Sequence, residues 1–143
     1  MTLHLIKLCV GVDTVDDLAV WVDHHAAEAR RAGKPPRHVH VTRMVPKRAA
    51  DLLDGGSLYW VIKGNIQVRE RLIDIEPFTD KDGIHRCRIV MEPKLIVTDW
   101  QPRRPFQGWR YLKAADAPAD RKRGSGNSLP AALAAELAEL GLR

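Results

Sequence analysis

Cysteine is scarce in this 143-residue chain, which holds only Cys9 and Cys87. Two thiols make neither a disulfide framework nor a zinc quartet, so the fold must rest on its apolar core. Long apolar runs are missing as well. The longest is a few residues, against the ~20 that cross a bilayer. The N-terminus, Met1-Thr2-Leu3-His4-Leu5, lacks the basic and apolar regions of a secretion signal. A cytoplasmic protein with no membrane partner is expected. P-loop, Rossmann-glycine, nucleophile-elbow and cysteine-zinc patterns are absent too, so no cofactor is expected. Aromatic residues number eight, and seven of them lie between Tyr59 and Tyr111.

What is present is ordinary globular material, 45% apolar and 29% charged. Its length suits one domain with a sizeable core. The charge, +5 overall, is unevenly placed. Residues 1–33 hold three Lys or Arg against five Asp or Glu. Residues 34–113 hold sixteen against nine, and residues 114–143 four against four. Two stretches of the middle segment contain no acid: Lys34 to Arg48, and Gln101 to Lys113. Clustered cations concentrate an anionic partner and release the counterions condensed on its phosphates.

Apolar spacing predicts the elements. Leu3–Val10 is apolar at nearly every position and reads as a strand interrupted by Lys7. Thr14 caps a long helix whose apolar stripe is Val15, Leu18, Ala19, Val22, Ala26 and Ala29, and Gly33 with Pro35 stops it. His38–Met44 alternates, with Val39 and Val41 on one face and His40 and Thr42 on the other. Pro46 opens a short helix closed by Gly55-Gly56. Ser57–Lys63 is a strand rich in aromatic and β-branched residues. After Gly64 the apolar phase begins on even positions, Ile66 and Val68, and ends on odd ones, Ile73 and Ile75. A bulge near Arg69–Leu72 restores the register and curls the sheet. Thr79–Gly83 is a turn, Ile84–Met91 its return strand, and Leu95–Trp100 a further strand. Residues 114–128 read as a flexible linker, and 129–143 as a short amphipathic helix.

Three candidate chemistries stand out. Trp100, Phe106, Trp109 and Tyr111 lie among Arg103, Arg104 and Arg110, a mixture in which rings stack on bases while guanidinium groups follow phosphates. Arg37, His40, Arg43, Lys47 and Arg48 populate the other acid-free stretch, and Arg69 and Arg71 share one side of their strand. His38-x-His40 sets two imidazoles on one face of a strand, but no third ligand lies at motif spacing. Only folding can bring His85 or Asp74 near, so no metal is expected. Cys9 and Cys87 sit in apolar strands and read as inert thiols.

Four blocks carry a resemblance: His4–Gly11, His40–Arg48, Gly56–Gly64 and Arg104–Leu112. They resemble an uncharacterised alphaproteobacterial family, number 1489 among the domains of unknown function, over about residues 1–120. The likeness implies a bacterial cytosolic setting and no particular activity. In its order of helix, glycine, strand and curled meander, the segment 46–98 also resembles the PUA and ASCH class of small RNA-binding pseudobarrels. The ASCH pattern Gly-x-Lys-x-x-Glu-x-Arg is met at Gly64 and Arg71, while Ile66 and Arg69 stand where Lys and Glu belong. That departure argues against ASCH-type catalysis.

The expectation is a single α+β domain over 1–113. It has a curled, mostly antiparallel sheet of five or six strands, a long N-terminal helix, a short second helix and a C-terminal tail helix. The expected function is nucleic-acid binding, to RNA rather than duplex DNA because no recognition helix is seen. The residues expected to carry it are Arg37, His40, Arg43, Lys47, Arg48, Arg103, Arg104, Trp109 and Arg110. Two alternatives are a small hydrolase or nuclease using His38, His40 or Lys63, and an interaction module with an acidic protein partner.

Overall fold

The structure is a computed structural model that describes residues 1–121. The expected tail helix and the end of the expected linker lie outside the described residues. Seven strands form a curled, open, mixed sheet in the order β2-β5-β4-β3-β1-β7, with β6 paired to β4 off this path. They are β1 (Leu3–Leu8), β2 (His38–Thr42), β3 (Ser57–Ile62), β4 (Asn65–Thr79), β5 (His85–Met91), β6 (Ile96–Pro102) and β7 (Trp109–Lys113). All pairings are antiparallel except β1 with β3. The strand count exceeds the expected five or six because Trp109–Lys113, read for its charge, also forms a strand.

Helix α1 (Val15–Arg31) starts where its cap places it. The Asp17 amide donates to Thr14 Oγ1 at 3.1 Å, and Asp17 Oδ2 accepts the Asp13 amide at 3.2 Å. Its buried residues, Leu18, Val22 and Ala26, recur every four positions and seal one face of the sheet. The short α2 (Ala49–Leu52) ends against β1. A Cβ on Gly56 would lie 2.2 Å from Leu3 O and 2.3 Å from Leu52 O, so this approach admits only glycine.

The sheet carries a core on each face. The larger includes Leu5, Leu18, Leu52, Leu58, Trp60, Val68, Met91 and Trp109; the smaller is Ile6, Tyr59, Val61, Ile66 and Leu112. The tight β3–β4 turn places Lys63 and Gly64 at φ 51° and 83°, the left-handed pair of a two-residue hairpin. Two irregularities then bend β4. At Gln67 the register slips against both β3 and β6, sending Ile66 and Val68 to opposite cores, and Gln67 Nε2 donates to Ile62 O. At Ile73 it slips against β5, one residue beyond the span where the phase change places a bulge.

β2 turns its histidines inward. His38 is buried, whereas Val41 is 46% exposed. Residues 114–121, which open the expected linker, return onto the sheet. Asp120 bridges to Thr98, the amides of Asp99 and Arg121 donate to Ala119 O and Val97 O, and Arg69 grips Asp120 with two 2.8 Å bonds.

Candidate functional site

The two acid-free stretches meet at β7, the last strand in the sheet order. Strand alternation puts Trp109 and Tyr111 on the face of Leu5 and Lys7, and Arg110 and Leu112 on the face of Ile6. On the first face, Trp109 Nε1 donates to Met44 O at 2.9 Å. The backbone amides of Lys47 and Arg48 donate to the Tyr111 hydroxyl at 3.0 and 3.2 Å. These three bonds fix the loop after β2 against the strand from 60 residues downstream. On the second face Pro102–Phe106 folds over β7 around an open cavity of about 520 Å³. Its lining includes Arg103, Arg104, Phe106, Arg110 and Tyr111, and no carboxylate. The Arg110 guanidinium lies 4.8 Å from the Phe106 ring centroid, a cation–π contact that leaves its edge N–H groups for a partner.

The expected residues divide. Among the described residues Arg43, Lys47, Arg103, Arg104 and Arg110 have no carboxylate partner, and Arg103 donates through Nε and Nη2 to Gln101 Oε1. Arg48 is engaged by Asp51 at 2.9 Å, and half-buried Arg37 donates to Pro36 O. Trp109 belongs to the core. Only 7% exposed and held by Met44, it offers no free face, and the expected stacking role passes to Tyr111, 38% exposed, and to Phe106, which is partly buried against the smaller core. His40 also leaves the set, because its side chain turns inward with His38. Arg69 is committed to Asp120 and Ser57 Oγ, and Lys63 pairs with Asp13 at the hairpin turn.

The inward histidines build a second feature that the sequence did not announce. Glu70 on β4 is completely buried. His38 Nδ1 lies 2.9 and 3.0 Å from its two oxygens, and Trp60 Nε1 donates to it at 2.9 Å. A buried carboxyl group requires such hydrogen-bond partners, and this need turns the polar face of β2 inward. In front of the pair lies a cavity of about 210 Å³ lined by residues that include Lys7, Cys9, Trp21, His25, His38 and His40. Burial, then Lys7 and His38, pull the His40 pKa down to about 4, so the ring is neutral at pH 7. Burial also lowers His25 and Lys7. Burial and Glu70 push the Cys9 thiol up to about 11, which removes it as a nucleophile. Among the described residues no three His, Cys, Asp or Glu side chains are grouped to hold a metal. The pairing of His38 with Glu70, 32 residues away, has no local sequence signal beyond an acid in an otherwise apolar strand.

No curated protein and no solved structure matches this chain. A family model described as protein of unknown function (DUF1489) matches residues 5–143, and the chain belongs to that family.

Proposed function

We propose that the protein binds single-stranded nucleic acid, RNA in the first place, along the basic edge formed by β7 and the loops folded over it. The observation that carries this reading is the Tyr111 hydroxyl receiving the amides of Lys47 and Arg48, which joins two distant acid-free stretches into one surface. Five cations with no carboxylate partner among the described residues then flank the Tyr111 and Phe106 rings, a combination that suits phosphates and bases together. Duplex DNA fits less well. The long helix α1 carries Asp16, Asp17 and Asp23 and would repel phosphates in a groove. The hydrolase reading is supported by the Glu70–His38 pair beside His40, but Lys63 stands apart from them and Cys9 is held as a thiol.

The test is fluorescence anisotropy with short RNA and matched duplex DNA at low salt, after a high-salt wash to remove copurified nucleic acid. RNA binding lost in Arg104→Ala/Arg110→Ala, with folding intact by circular dichroism, is expected. Absence of RNA binding by the wild-type chain at low salt would reject the reading, and capture of an acidic protein would then favour the interaction module.

A further inference from the structure

Two polar groups that line the cavity in front of His38 have atoms left for a ligand. His38 is 8% exposed at its side chain, its Nδ1 is committed to Glu70, and its Nε2 has no hydrogen-bond partner among the described residues. Lys7 is half-buried on the same wall and has no carboxylate partner among the described residues. No acid lines the space, and Glu70 behind His38 is already bonded to His38 and accepts from Trp60. With Nδ1 committed to Glu70, Nε2 is the polar atom of this buried, cavity-lining ring that remains for a ligand. Lys7 adds a point charge, the form in which lysine meets phosphate.

We propose that this cavity binds a phosphate monoester. Resting on the RNA reading above, the monoester is the phosphorylated end of the bound strand. Size selects an end: about 210 Å³ falls below the roughly 300–1,000 Å³ that encloses a drug-sized ligand. A phosphate with part of its sugar fits, and a strand passing through does not. Trp21, more than half exposed at the rim, offers a face to the terminal base. The cavity and the edge are neighbours. Lys7 is the β1 partner of Trp109, whose indole bonds the loop between Arg43 and Lys47, so the cavity lies on the face of β7 to which that loop is tied.

The same chemistry is offered by a free nucleoside monophosphate, and the experiment separates the sources. RNA oligomers of one sequence carrying a 5′-phosphate, a 3′-phosphate or hydroxyl ends are titrated into the wild-type chain, Lys7→Met, Trp21→Ala and Arg103→Ala/Arg104→Ala. Uridine and adenosine monophosphate and inorganic phosphate are titrated by calorimetry in parallel. One phosphorylated end should bind at least tenfold tighter than the hydroxyl-ended strand. Lys7→Met should abolish that preference, Trp21→Ala should reduce it a few-fold, and the double arginine variant should weaken all strands while keeping it. Monophosphate binding without RNA binding would leave the cavity standing and overturn the edge. Equal affinity for all three ends with no monophosphate binding would overturn the cavity and leave the edge.

Discussion

Trp109 joins the two halves of the site from inside the core, and that position sets what its removal does. Trp109→Ala deletes a buried indole and frees Met44 O, so it should cost about 3–5 kcal/mol of folding free energy, measured by urea denaturation. A loss of RNA affinity with unchanged stability would instead place the ring on the surface. Glu70→Ala should be comparably damaging, at about 3–5 kcal/mol, because it strands His38 and Trp60 Nε1 without their acceptor. His40 gives the molecule an acid sensitivity. Its folded pKa, about 4, lies below the ~6.5 of an unfolded histidine, so the unfolded chain binds more protons between those values. Stability from this residue is complete above pH 6.5 and is lost as pH falls towards 4, by about 3 kcal/mol in all. Burial depresses His4 and His25 in the same direction. Unfolding free energies measured from pH 7 to 4.5 should fall with a steeper slope in the wild-type chain than in His40→Asn.

At the scale of elements, what local periodicity controls is legible in the sequence. The α1 stripe, its Thr14 cap, the aromatic strand β3 and the turn at Asp80 all follow from neighbours a few residues apart. The bulge at Ile73 is announced by the phase change between Val68 and Ile75. The Gln67 irregularity is not, because it depends on an amide reaching back to Ile62 O. β2 shows the same limit more sharply. Its valines suggest an apolar inner face, and the burial of His38 is decided by Glu70 on a strand far along the chain. The fate of residues 114–121 is likewise a matter of distant partners, since no large apolar residue marks them for docking. Arg69 and Asp120 hold this segment through a bidentate pair on a partly exposed surface, worth about 1 kcal/mol. Asp120→Ala should therefore lower Tm by a few degrees. A chain ending at Lys113 should remain folded but melt several degrees lower, since the backbone bonds to β6 go with it. An unchanged Tm in both variants would show that the segment contributes nothing to stability.

In the whole molecule, cations remote in sequence lie along and beside one edge strand, and a cavity lined by Lys7 and His38 adjoins it. The charge asymmetry was readable from composition: an acidic first segment, a basic middle and two acid-free stretches. Their contact was not, because it is made by a tyrosine hydroxyl and an indole N–H, whose partners are backbone groups that carry no sequence identity. The measurement that tests this edge most directly is the salt dependence of RNA binding. Five phosphate contacts, from Arg43, Lys47, Arg103, Arg104 and Arg110, predict that log K falls against log salt with a slope of about −3.5 for a single strand. Arg103→Ala/Arg104→Ala should flatten the slope by about 1.4 and weaken all sequences alike. A slope near zero in the wild-type chain, or one that the double variant leaves unchanged, would contradict the account.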